Sequence, residues 1–174
     1  FYEHFDIHDN PKVRYFMPHE QIDSRAERRP WFRDNQYVFP RIAAGANAIL
    51  TAGGHVGLGG HGQMDGLGDH WELWAMSSGG MSTHDVLRVG TIMGAQALGL
   101  DQEVGALEPC KLAEMMIVDN TPAEDIQYAE SKLFVITNGL LSGGTRPTEE
   151  CAPHLHPGTA VRAAWFGGGD GSAS

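Results

Sequence analysis

The sequence predicts an α/β fold, and three observations carry the prediction. Apolar residues at three- and four-residue steps over 35–52 give an amphipathic helix that runs through Gly53-Gly54 into a short apolar segment, 55–60, bounded by glycines. A capping signal at Ser82 opens a second helix. Beyond residue 104 the texture changes to short β segments and ends in an Asn-Gly hairpin. Helix, glycine turn and buried strand in that order make the unit from which parallel sheets are built. With 41% hydrophobic and 20% charged residues, the 174-residue chain allows one domain, or one and a fraction, with a real core.

Residues 1–34 are aromatic and charged and are interrupted by Pro11, Pro18 and Pro30, so a surface loop region is expected, with two or three polar helical turns over 20–29. In the helix at 35–52 the expected apolar face is Val38, Ile42, Ala46, Ile49 and Leu50. The run HVGLGG at 55–60 reads as a buried strand, with His61 where it ends. A glycine-rich loop follows, and residues 70–78 look helical. Ser82 as N-cap with Asp85 at the third helical position starts the next helix. Its apolar face is Val86, Val89, Ile92, Met93 and Ala97, and Gly99 closes it. An apolar strand rich in Met, Ile and Val is expected at 112–119, between Pro109 and Pro122. Residues 132–137, Asn138-Gly139 and 140–142 form a type I′ hairpin. Past Thr145 the composition is rich in Pro, Gly, His and Ser and reads as an extended tail.

Charge narrows the partners. Twelve Lys+Arg against 22 Asp+Glu leave a net charge of −10, and only Arg25, Arg28 and Arg29 cluster, so neither a nucleic acid nor an anionic membrane meets a basic surface. The longest stretch without a charged residue, 42–64, carries seven glycines, two histidines, Asn47 and Gln63, which rules out a membrane helix. Cys110 and Cys151 are too few for a disulfide scaffold and leave the compartment open. The chain opens on Phe1 with no basic and apolar leader and reads as a processed or truncated piece of something longer.

Three motifs carry a family resemblance: GLGGHGQMDGLGDHWELW at 57–74, GGMSTHDVLRVGTIMGAQALGL at 79–100 and VGALEPCKLAEMMIVDNTPAEDI at 104–126. They resemble the amidohydrolase superfamily of metal-dependent hydrolases, above all the branch whose members often carry an amino-terminal TolB-like propeller. The last motif is the most specific. The family's pattern runs roughly G-S-L-E-P-G-K-L-A-D, two hydrophobic residues, D-x-N-P, one hydrophobic residue and E-D-I. It is matched here at Gly105, Leu107, Glu108, Pro109, Lys111, Leu112, Ala113, Asp119, Pro122, Glu124, Asp125 and Ile126. Cys110 stands where the family usually has Gly, Glu114 where it has Asp, and Asn120-Thr121 where it has the x-Asn step.

The resemblance covers about residues 35–143 and implies a carboxyl-terminal piece of a (β/α)₈ barrel plus return strands of a small β-sandwich. The implied division is 1–103 for the barrel part, 104–145 for the composite β-sandwich strands and 146–174 for the tail. A complete barrel takes roughly 250 residues. The family's early strands supply a His-x-His pair and further ligands that have no equivalent at these positions; His154 and His156 form a His-x-His, but in the tail.

His61 follows a strand at its carboxyl end, where barrel enzymes place catalytic groups. Most of the superfamily holds a metal-binding, proton-accepting Asp there. A neutral imidazole can do either job, so His61 is the implied catalytic residue and metal ligand. A loop histidine bonded to backbone is the competing reading. Gln63 and His70 are the implied substrate contacts, and Asp65 and Asp69 are fallback carboxylates. Trp71 and Trp74 read as packing residues, and Cys151, His154 and His156 as a weak zinc signal that lacks a fourth ligand.

The implied function is hydrolysis of C–N bonds in amide or cyclic amide substrates by a parent enzyme that uses a divalent metal, zinc by preference, to activate water against a carbonyl. The piece by itself is expected to bind no catalytic metal and to be inactive. Its expected partners are a small-molecule substrate in the parent and a second copy of itself. A non-catalytic assembly or binding module is the alternative.

Overall fold

The computed structural model describes residues 7–25, 33–60, 64 and 66–143. Among them, helices fill the first two thirds and a three-stranded antiparallel sheet the last. The α/β composition holds, but the parallel pairing expected from the sequence does not occur among the described residues.

The opening segment is more than a surface loop. It forms α1 (Pro11–Phe16) and α2 (His19–Arg25), each begun at or next to a proline, whose fixed φ and missing N–H suit a helix's first turn. Asn10 caps α1 by accepting the Val13 N–H at 3.2 Å. Ile7 and Ile22 reach the hydrophobic core, and Ile22 is only 1% exposed.

The amphipathic helix, α3 (Phe39–Thr51), begins four residues later than the periodicity suggested, because Pro40 fixes its first turn. It buries a different stripe from the expected one. Ala43 is buried and Ala46 and Leu50 pack on the core, whereas Val38, Ile42 and Ile49 stay exposed. The neighbour decides this. Helix α4 (Leu67–Ser78) ends at Gly79, where a Cβ would strike the Ala43 backbone, so the two helices meet along small residues rather than along the bulky ones.

Between these helices the expected strand at 55–60 is extended but pairs with no other strand among the described residues. Its exposure alternates, with Val56 and Leu58 turned toward the core. A strand is defined by its ladder, and a parallel one needs neighbours on either side.

The helix expected over 82–98 is two: α5 (Thr83–Val89) and α6 (Ile92–Leu98), broken at Gly90 and Thr91. Thr91 leaves helical geometry at φ −132° and ψ −96°. Both expected ends are in place, with Ser82 accepting from the Asp85 N–H at 3.1 Å and Gly99 left-handed at φ 70°. Val86, Val89 and Met93 are buried as the pattern required.

The sheet consists of β1 (Met115–Val118), β2 (Lys132–Thr137) and β3 (Leu140–Gly143) in that order. Asn138 at φ 50° and Gly139 at φ 75° make the tight turn that the Asn-Gly pair announced. A short 3₁₀ helix, Ile126–Glu130, docks the sheet region on the helices by burying Ile126 and Ala129 in the same core. Cys110, at the position where the family motif has Gly, keeps a left-handed backbone at φ 74°. No described helix is long and apolar enough to cross a membrane.

Candidate functional site

Of the residues that the sequence singled out, Asp69, His70, Trp71 and Trp74 lie in the first two turns of α4. His70, Trp71 and Trp74 lie on its buried face with Leu67, at the spacing that puts side chains on one side of a helix. The two tryptophans pack in the core as expected. Glu72 faces the extended segment and accepts the Gly59 N–H at 2.7 Å, clasping 55–60 to the helix. The Asp69 carboxylate lies so close to Gly60 that a Cβ there would meet it and push it aside. The residue before His61 is therefore held against the amino-terminal end of α4. His61, Gln63 and Asp65 lie outside the described residues, as do Cys151, His154 and His156.

His70 is 8% exposed, and its Nε2 stands 3.0 Å from the Lys132 Nζ at the start of β2. An ammonium group has only donors, so the imidazole Nε2 accepts, and the neutral ring carries its proton on Nδ1. This contact ties α4 to the sheet across 62 residues of sequence. Nothing in local pattern announces Lys132 as its partner. Elsewhere the Ser82 hydroxyl, donating to Asp85 at 2.7 Å, and then Arg88 at 3.2 Å hold the Asp85 carboxyl below the usual carboxylate range.

Among the described residues, one group of side chains brings metal-binding atoms together, and it lies away from α4 in sequence: His8, His19 and Asp23. His8 Nε2 is 2.8 Å and His19 Nε2 3.6 Å from the Asp23 carboxylate. Sequence reasoning passed over it. The His19 and Asp23 spacing of four on a helix was legible as one face, but His8 joins them only through the turn before α1.

The sequence model of the amidohydrolase family matches residues 34–145, from just before α3 through the end of the hairpin. This chain belongs to the amidohydrolase family. Among curated relatives, a 5'-deoxyadenosine deaminase from Methanobrevibacter smithii is 34% identical over 62 residues, which are 34% of this chain and 14% of that protein. The crystal structure of a Xaa-Pro dipeptidase with bound methionine in the active site superposes with a TM-score of 0.54 at 27% identity over 60% of this chain. A protein from Bifidobacterium longum assigned as a prolidase superposes with a TM-score of 0.53 at 28% identity over 58% of this chain. The chain spans 26% of the length of each of these two structures. In this amidohydrolase-family chain the 55–60 segment, α4 and the sheet all fall inside the matched region, whereas the His8, His19 and Asp23 group precedes it.

Proposed function

We propose that this chain is the carboxyl-terminal part of a metal-dependent hydrolase that cleaves C–N bonds in amide or cyclic amide substrates. Residues 1–103 would complete a (β/α)₈ barrel, 104–145 would supply strands of a composite β-sandwich, and 146–174 would form a tail. The supporting observation is the family match over 34–145. The relatives named above, a deaminase and a Xaa-Pro dipeptidase, share cleavage of a carbon–nitrogen bond.

His61 is the proposed catalytic residue. It follows directly on the extended segment that Glu72 clasps to α4, the segment that would be a strand of the intact barrel, and barrel enzymes carry their chemistry at the carboxyl ends of such strands. An imidazole there fits a divalent metal such as zinc as a donor and fits the attacking water as a base. A bound metal would supply Lewis-acid polarisation of the scissile carbonyl. His61 takes the proton of the water and passes it to the departing nitrogen. Gln63 and His70 are the proposed substrate contacts; in the described structure His70 Nε2 meets the Lys132 ammonium. One donor does not complete a zinc site, so the chain by itself is proposed to be inactive.

The test is His61→Ala in the full protein that carries this chain, assayed on Xaa-Pro dipeptides and on 5'-deoxyadenosine. The kcat should fall by about 10² to 10⁴ with little change in KM, as for a lost general base. A variant that keeps most of its kcat at unchanged metal content returns His61 to the reading of a loop histidine.

The sheet favours a second reading, an assembly surface. Met116, Ile117, Leu133, Phe134, Leu140 and Leu141 are all exposed apolar residues on its three strands. Soluble proteins seldom leave such a set open to water. A second copy of this chain, paired about a two-fold axis, is the proposed cover.

A further inference from the structure

We propose that His8, His19 and Asp23 form a binding site for a divalent transition-metal ion of the zinc class. The three donor groups come from two segments. His8 lies in the turn before α1, and His19 and Asp23 lie one turn apart on α2, on the same face. Their ligand atoms all fall within 4.8 Å of one another. The Asp23 carboxylate stands between the two imidazoles, 2.8 Å from one Nε2 and 3.6 Å from the other. Around an ion with bonds of about 2.0–2.2 Å, tetrahedral ligands sit about 3.4 Å apart, close to the two distances to Asp23, which run to its two different oxygens, so small side-chain rotations would bring the three groups onto one ion. The imidazole rings are 5.7 Å apart at 71°, edge to face rather than stacked.

Backbone anchoring makes this a preorganised group rather than three passing side chains. Ile7, next to His8, and Ile22, next to Asp23, are both buried in the core. Asn10 fixes the turn between His8 and α1 by its bond to the Val13 N–H. Rigid neighbours hold metal ligands in place better than mobile ones do. The alternative use of these groups, a stabilising ion pair, is worth little where Asp23 is 57% and His19 80% exposed. Two imidazoles with one carboxylate select zinc, cobalt, nickel or copper over calcium and magnesium, which prefer all-oxygen shells. Water would take the remaining position, and the site is independent of the hydrolase reading built on His61.

The experiment is a calorimetric titration of the untagged 174-residue chain with Zn²⁺, with Co²⁺ absorption as a second readout, on wild type, His19→Ala and Asp23→Asn. Because the His19 side chain is so exposed, its removal leaves the fold intact, and far-UV circular dichroism checks this. One equivalent is expected to bind to the wild type, and each substitution is expected to weaken that binding by at least about tenfold, since even losses of groups behind the ligands cost that much. Absence of binding in the wild type overturns the proposal, and so does binding of unchanged affinity in both folded variants.

Discussion

The helical layer and the sheet treat their apolar residues in opposite ways. Helices α3 to α6 turn one stripe each inward, and their buried side chains, with Ile7, Ile22, Met64, Met81, Ile126 and Ala129, make up the core. No described strand side chain is buried. Phe134 and Leu133 are neighbours in β2, so they point to opposite faces of the sheet, and both are exposed. Hydrophobic pattern therefore locates the faces that need a cover, but what covers them depends on surroundings that the pattern does not contain. In the helical layer the cover is local. At the sheet it has to come from elsewhere, which is why a second copy is proposed there.

The sharpest way to break this comparison is to remove one aromatic residue from each region. Trp74→Ala should cost about 3–5 kcal/mol in urea unfolding, the usual loss for emptying a buried aromatic site. If it costs under about 1 kcal/mol, the helical layer is not the folded unit described here.

A medium effect lies at the start of α5. Ser82→Ala should cost about 1 kcal/mol by stripping the N-cap. The loss should depend on pH in a defined direction. The folded Asp85 is a stronger acid than its unfolded counterpart, chiefly through the Ser82 hydroxyl, so its stabilising share is full above the ordinary aspartate value near 3.8 and fades as pH falls through the lower folded value. The gap between wild type and Ser82→Ala should thus narrow in acid below about pH 4. Unfolding curves measured at neutral pH and in that acid range check it, and a gap that widens in acid contradicts the assigned cause.

The smallest effect on monomer stability is expected at the sheet. Phe134→Ser, at a residue 44% exposed, should shift unfolding by no more than about 0.5 kcal/mol. Its consequence should appear in association instead. Light scattering across a hundredfold dilution should show a wild-type dimer that Phe134→Ser weakens, and a wild-type monomer at every concentration refutes the proposed self-pairing.

Much of this architecture was legible in the sequence where one residue type has one conformational use. Asn138-Gly139 named its turn, Ser82 its cap and Gly99 its stop, because each of these positions makes a local demand on φ or on an unpaired N–H. The family motif also marks residue 110 as a glycine position, and its left-handed backbone explains why. Cys110 keeps that geometry at a cost of about 1–2 kcal/mol. What failed depended on neighbours. Ile42 and Ile49 carry the stronger apolar signal on α3, yet Ala43 is buried instead, because Gly79 brings α4 too close for anything larger. Residues 55–60 had the composition of a buried strand, but pairing is a property of two segments and cannot be read from one. Around the site, Asp65 and Asp69 could be picked out as carboxylates near His61 in sequence, whereas the Glu72 bond to Gly59 and the Lys132 contact to His70 belong to the tertiary fold alone.

That last contact also orders events in time. Helix α4 can close on α3 as soon as both have been made, since only 15 residues separate them, but His70 must wait for a residue 62 positions downstream. During synthesis from the amino terminus, the helical layer can assemble while the sheet is still unmade. The contact that ties α4 to β2 is thus finished only after the ribosome has passed residue 132, so a nascent chain halted before that point would hold the helices without it.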